Sequence, residues 1–254
     1  MPASVAEVLF LVGAGALASL IGSAGGITSL ISYPALLAVG LAPLQANIAN
    51  AVALVGSGVG STLGSRPELR GQWRTLLRLT LPSVAGGTVG AALLLLTSAD
   101  LFAWIVPFLI ALASLLLLVQ PKISTWRQER HRPENPALAL AGMFVVSIYG
   151  GYFGAGAGVL TLAVLLVLVD QDLPRANAFK NVVLAGADVI TAVVFVLAGQ
   201  VVWAAVIPLA VGAMVGGALG PAVARRVPSR ILRIAVALAG FGLSIWLLVS
   251  FKIL

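Results

Sequence analysis

The chain has 254 residues, of which 60% are hydrophobic and only 9% are charged. Because a soluble domain carries about 25% charged residues, this composition excludes an ordinary water-soluble fold and predicts an all-α polytopic membrane protein. The net charge of +7 would suggest nucleic acid as a partner of a soluble protein. In a membrane protein it fits the enrichment of Lys and Arg in cytoplasmic loops, so we expect a lipid bilayer and no nucleic acid as partner.

Ten apolar segments follow one another along the chain, five in each half. The last three in each half reach about 19–24 residues, which is enough to span a bilayer, whereas the first two have only about 13–16. The short ones either span with tilt or are re-entrant half-helices. The predicted segments are 7–21, 27–40, 44–65, 74–97 and 101–119, followed by 137–152, 158–170, 175–198, 203–224 and 230–251.

The two halves share landmarks in the same order, which predicts an internal repeat. The alternative is coincidence in a chain rich in Gly, Ala and Leu. The landmarks are 22–26, Pro43, Asn50, Gly71, Gln72, Pro82, Gly86 and Gly90 in the first half, and 154–158, Pro174, Asn181, Gly199, Gln200, Pro208, Gly212 and Gly216 in the second. We therefore divide the chain into a first transmembrane repeat of residues 1–120, a basic cytoplasmic linker of residues 121–136 and a second repeat of residues 137–254.

The distribution of basic residues predicts how the segments are oriented. Lys and Arg cluster in 66–78, 122–132 and 225–233, and cytoplasmic loops collect these residues. With these three clusters inside, the two halves have opposite orientation and both termini lie outside. We therefore expect two inverted-topology repeats, each with two short half-helices and three long spans. Such repeats are typical of secondary transporters, whose sites lie where discontinuous helices meet.

Each half contains one glycine-rich break between its two short segments. Glycine permits the turns that such a break needs, and the helix that follows presents unpaired N–H groups that suit an anion. Hydroxyl groups beside the first break could add donors. The alternative is that small residues only allow close helix packing. The residues predicted to bind substrate in the breaks are Gly22, Ser23, Gly25, Gly26, Thr28, Gly154, Gly156 and Gly158.

Four polar residues inside long segments are further site candidates. Asn50 and Asn181 could donate to an anion, or could form interhelical hydrogen bonds that hold the bundle together. Lys180 could attract an anion, or could extend toward the membrane interface. Asp188 is the only acid well inside a spanning segment, where an ionisable residue suggests function. It is a candidate for proton coupling, with a structural polar contact as the alternative.

These glycine motifs and their surroundings resemble the TauE/SafE family, described as sulfite exporters and transporters of sulfur-containing organic anions. The resemblance covers nearly the whole length, although Leu166 stands where the first half has Pro34. It implies a carrier in a bacterial cytoplasmic (inner) membrane, with sulfite, thiosulfate, sulfonates or related small organic anions as its substrates. The residues that carry it are 22–26, Pro34, Gly40 and Pro43, then 154–158, Pro174 and Ala178, and the paired patterns from Pro82 and Pro208.

Together these features predict a secondary transporter that binds one small anion at the membrane midplane and works by alternating access. A passive anion channel and a membrane scaffold or assembly factor are the alternatives. The sequence has no His/carboxylate metal cluster, nucleophile elbow or phosphate loop, so we expect neither a cofactor nor an enzyme. It leaves the oligomeric state open.

Overall fold

A computed structural model describes residues 4–128, 136–169, 172–224 and 229–251 of the chain. These residues form helices joined by short connections, and no β-strand occurs among them. The helices are α1 (Val5–Gly25), α2 (Thr28–Ala38), α3 (Pro43–Gly64), α4 (Arg66–Leu69), α5 (Trp73–Leu95), α6 (Ala99–Gln128), α7 (Pro136–Tyr152), α8 (Ala157–Leu168), α9 (Leu173–Leu197), α10 (Trp203–Ala224) and α11 (Ser229–Phe251).

The lengths of these helices confirm the all-α polytopic membrane class. Five apolar helices of the described chain are long enough to cross a bilayer: α1, α5, α6, α9 and α10. Helix α3 also has 22 residues, although it carries more polar side chains. The ten predicted segments all appear as helices, and the short helix α4 is added between the third and the fourth.

The first helix is longer than predicted. Helix α1 has 21 residues and covers about 32 Å, so the prediction of a short first segment is wrong. Its start is fixed by a capping box, in which the side chains of Ser4 and Glu7 each accept a hydrogen bond from the backbone N–H of the other residue. By contrast, α2 and α8 have 11 and 12 residues and cover only about 16–18 Å.

The two glycine-rich breaks also differ from the predicted ranges 22–26 and 154–158: the first is narrower, and the second begins and ends earlier. Gly22 and Gly25 belong to the last turns of α1, and only residues 26–27 leave the helical conformation. In the second half the break covers residues 153–156, so that Gly158 already lies in the first turn of α8. Glycine is therefore needed for backbone conformation at Gly26, Gly154 and Gly156, which have φ of 75°, 81° and 78°.

Six of the helices form two bundles of three. In the first bundle α10 lies between α1 and α3, and in the second α5 lies between α7 and α9. The three helices within each bundle run in the same direction, because residue numbers rise together along each contact. The contacts that set the directions are Val12–Gly212 and Ala16–Gly216, Gly56–Ala210 and Gly64–Ala218, Phe144–Gly86 and Ile148–Gly90, and Thr80–Gly186 and Gly87–Thr191.

The two bundles meet along α3 and α9, which run in opposite directions. Gly58 faces Ala185, whereas Ser65, further along α3, accepts a hydrogen bond from Asn181, which comes earlier along α9. The last helices of the two halves, α6 and α11, also pack against each other. Each bundle therefore contains two helices from one half of the sequence and one from the other.

Glycines bring the helices of each bundle into close contact. A methyl group at Gly212 or Gly216 would overlap the backbone of α1, and one at Gly86 or Gly90 would overlap the backbone of α7. Membrane helices pack through such small residues because the hydrophobic effect does not drive helices together within lipid. Close helix packing through glycine, the alternative given above for the breaks, is therefore also found along α5 and α10.

Part of the predicted cytoplasmic side lies outside the described residues. Helix α6 continues to Gln128, so it includes the first residues of the predicted linker 121–136, while residues 129–135 are not described. The same holds for residues 225–228 of the last basic cluster.

Candidate functional site

The two glycine-rich breaks meet inside the protein. Gly26 and Gly158 are in direct backbone contact, and a methyl group on either would overlap the main chain of the other. Gly26 also has the positive φ noted above, and its N–H donates to the carbonyl of Gly22, which closes the end of α1. The structure therefore brings the two hairpins, α1–α2 and α7–α8, together at their tips.

A helix begins at each tip. Helix α2 starts at Thr28 after Ile27, and α8 starts at Ala157 after Gly156, and neither N-cap residue makes a side-chain cap hydrogen bond. The first N–H groups of a helix lack partners within that helix and carry the positive end of its dipole. Two such ends directed toward one small volume would favour an anion there.

Next to the tips lies a cavity of about 70 Å³, which has room for a few waters or a small anion. All the predicted site residues line it except Gly25 and Gly156, which the structure places outside the lining. The predicted residues in the lining are Gly22, Ser23, Gly26, Thr28, Asn50, Gly154, Gly158, Lys180, Asn181 and Asp188.

Helices α3 and α9 supply most of the remaining wall with matching faces. On α3 the lining residues are Asn50, Ala51, Leu54, Ser57, Gly58 and Ser61, and on α9 they are Lys180, Asn181, Leu184, Ala187, Asp188 and Thr191. Both sets have the spacing of one helix face. The two faces are similar in shape but differ in charge, because only α9 contributes ionisable groups.

Lys180 is buried in the centre of the protein, with 1% of its surface exposed. Its ammonium group donates a hydrogen bond of 2.9 Å to the carbonyl of Ser23, in the last turn of α1. The alternative that Lys180 extends toward the membrane interface is therefore wrong. The C-terminal end of a helix is a favourable place for a cation, and an ammonium group has two further N–H donors that can serve a ligand.

Asp188 lies two turns further along α9, which places its backbone about 12 Å from that of Lys180 along the helix axis. Its side chain lines the cavity and is half-buried. Within the described part of the chain no hydrogen bond or ion pair of this carboxyl group is found. The structural polar contact considered as an alternative is thus not seen among these residues.

The two asparagines line the cavity and also hold helices together. The Asn50 side chain donates to the Ser29 hydroxyl at 3.1 Å and accepts from the Ser32 hydroxyl at 2.6 Å, which joins α3 to α2. The Asn181 side chain donates to the Ser65 hydroxyl at 3.1 Å, which joins α9 to the end of α3. Both interpretations of these residues are therefore compatible with their positions.

Sequence reasoning missed a set of hydroxyl groups in the lining. Ser57 and Ser61 follow Asn50 by two and three turns on the same face of α3, a pattern that could have identified them. No sequence signal distinguishes the others from ordinary packing residues. The additional hydroxyl residues are Ser29, Ser57, Ser61, Ser147 and Thr191.

Comparison with known proteins gives a consistent match to one group of membrane proteins. The family model described as sulfite exporter TauE/SafE matches residues 8–247. The probable membrane transporter protein YfcA of Escherichia coli (strain K12) is 28% identical over 205 residues, covering 80% of this chain and 76% of the relative. No solved structure matches the chain.

Two relatives from other bacteria align over most of both chains. A probable membrane transporter protein of Haemophilus influenzae is 27% identical over 241 residues, covering 92% of this chain and 91% of the relative. The probable membrane transporter protein YunE of Bacillus subtilis is 27% identical over 252 residues, covering 89% of this chain and 92% of the relative.

Proposed function

The chain belongs to the TauE/SafE family of membrane transporters, and from this we propose that it carries small anions through the cavity between the two glycine tips. The substrates we propose are sulfite, thiosulfate, sulfonates or related small organic anions. The family description names sulfite, and the chemistry of the cavity fits its charge and size.

One observation carries the proposal that the substrate is an anion. Lys180 is buried and is the only cation among the described residues of the cavity lining, which also contains hydroxyls, amides, glycines, apolar side chains and one carboxyl group, that of Asp188. Burying a cation costs free energy unless other groups compensate it, and the Ser23 carbonyl supplies only one hydrogen bond. An anion held by Lys180, by the hydroxyls and by the two helix N-termini would complete this compensation.

We propose alternating access by movement of the two three-helix bundles against each other. Support comes from the antiparallel contact of α3 and α9 and from the parallel packing within each bundle, as expected if the sequence halves are inverted repeats. The substrate would then sit near the bilayer midplane, at the interface of the bundles. Asp188 is the candidate for carrying a coupled proton.

The experiment that tests this function measures anion flux through the purified protein in liposomes. Radiolabelled sulfite or thiosulfate should enter with a saturable rate, and unlabelled anion trapped inside should drive transient accumulation of label by counterflow. Liposomes without protein are the control. Saturable flux with no counterflow would favour a passive channel, and no flux of any tested sulfur anion would contradict the substrate proposal.

A further inference from the structure

The cavity contains one cation and one acid that do not pair with each other. Lys180 donates to a backbone carbonyl of α1, and Asp188 makes no ion pair within the described part of the chain. Both nevertheless line the same small cavity. When both are ionised, their charges cancel, and an entering anion would meet a site with no net positive charge.

The described helices packed against α9 place no other ionisable side chain in this lining. These helices are α1, α3, α4, α5, α7 and α8, and α3 and α8 carry no ionisable residue. The Tyr149 hydroxyl of α7 donates to the Ala155 carbonyl at 2.6 Å. The ionisable residues on the other helices, and on α9 itself, are Glu7, Arg66, Glu68, Arg74, Arg78, Tyr149, Tyr152 and Arg175, all outside the lining. The charge of the cavity therefore depends on Lys180 and Asp188 alone.

Protonation of Asp188 changes this balance in favour of an anion. It removes the negative charge and leaves Lys180 uncompensated, so the cavity gains a net charge of about +1 at the moment when an anion would enter. By linkage, whatever makes the anion bind more tightly to the protonated form also makes the proton bind more tightly to the anion-loaded form. A carrier that favours binding both together moves both in the same direction.

We propose that Lys180 and Asp188 make this protein a proton symporter, which moves one proton on the Asp188 carboxyl group with each singly charged anion. The inference rests on the proposed function and gives the sign of the coupling, which the family match does not. Proton and anion travel together as a neutral pair in the cavity, and net transport of the anion follows the pH gradient.

The first experiment measures anion binding to the purified full-length protein by calorimetry at several pH values. Methanesulfonate is the probe because its own charge does not change over this range. Two unit charges roughly 10 Å apart inside a protein alter binding by about tenfold. We therefore expect the wild-type Kd for methanesulfonate to fall about tenfold as the pH decreases through the titration of Asp188.

Three variants separate Asp188 from other carboxyl groups. Asp188→Asn should bind the probe tightly at all pH values, and Asp188→Glu should keep the pH dependence. Asp172→Asn is the matched control, because Asp172 is an exposed N-cap residue on the same helix and Asn caps helices as well as Asp does. It should behave as wild type.

The second experiment measures flux of the same probe in liposomes with an imposed pH gradient. Wild type should accumulate methanesulfonate on the alkaline side without moving net charge, whereas Asp188→Asn should respond only to the membrane potential. Wild-type binding that is independent of pH, or tighter at high pH, would overturn the inference while leaving the proposed function intact. Absence of binding and flux for both sulfite and methanesulfonate would overturn both.

Discussion

At the scale of single residues, the proposed anion site depends most on Lys180, the buried cation of the cavity lining. A buried ammonium group is stable only where carbonyls or anions replace its water, and here the last turn of α1 provides one such carbonyl. From the sequence, this lysine was identifiable as a site candidate, but the interpretation preferred there, extension toward the membrane interface, is wrong because the side chain is buried. The distance along the helix from a predicted membrane edge does not show whether a side chain points to lipid, to water or to another helix.

Removing the charge of Lys180 should weaken anion binding strongly. A hydrogen bond between charged groups contributes about 1.5–3 kcal/mol, so Lys180→Gln should raise the Kd for sulfite by roughly 10- to 100-fold, measured by calorimetry on purified protein. Arg175→Gln removes an exposed cation from the same helix and serves as the matched control. Equal effects of the two substitutions would show that only the overall charge of the helix matters.

The contact between Gly26 and Gly158 gives a second test at this scale. Gly158 lies inside α8, where alanine is usually the better helix former by about 0.5–1 kcal/mol. Because a methyl group there would overlap the backbone of Gly26, Gly158→Ala should instead destabilise the protein by about 1–3 kcal/mol. Thermal unfolding in detergent measures this effect.

Gly242 supplies the matched control for that substitution. It lies within α11 and a methyl group added to it would meet open space, so Gly242→Ala should leave the unfolding temperature unchanged or raise it slightly. If Gly158→Ala behaved in the same way, the two tips would not be in close contact.

At the scale of helices, the sequence predicted ten helical segments, all of which are present, but it misjudged the length of the first. A run of apolar residues marks the part of a helix that contacts lipid or core, and α1 extends beyond that run at both ends. Its start depends on the Ser4–Glu7 capping box, and its end includes Gly22 and Gly25, which the glycine motif predicts to lie in the break. Glycine weakens a helix but does not by itself end one. The glycine content of the segment was therefore not sufficient to predict where α1 ends.

Cross-links between helices test which of them move together. The chain has no cysteine, so introduced pairs can be studied without background. Gly58→Cys with Ala185→Cys joins the two bundles across α3 and α9, whereas Gly87→Cys with Ala187→Cys joins α5 and α9 within one bundle. Oxidation should stop sulfite flux in the first double variant and have little effect in the second.

Each of these double variants includes one residue of the cavity lining, Gly58 or Ala187. The comparison is therefore made between the oxidised and reduced forms of the same protein, in the same liposomes. Flux that returned on reduction in the first variant would support movement between the bundles. Equal inhibition in both variants would contradict it.

At the scale of the whole molecule, the charge pattern predicted that equivalent segments of the two halves run in opposite directions. Helices α3 and α9 are antiparallel, while the inverted orientation of the two halves as a whole stays a prediction. The sequence could not show that each bundle contains one helix from the other half of the chain, α10 in the first bundle and α5 in the second. Helices that pack together need not be neighbours in the chain. For the same reason the meeting of the tips and the hydroxyl groups of the cavity could not be predicted.

The most direct test of the account is to locate the bound anion. Selenite has the shape and charge of sulfite and contains an atom that can be identified by anomalous scattering in crystals of the full-length protein. We predict a selenium position in the cavity between Gly26, Gly158 and the Lys180 ammonium group, and its loss in crystals of Lys180→Gln. A selenium position elsewhere in the protein, with this cavity empty at a selenite concentration that saturates binding, would contradict the central claim.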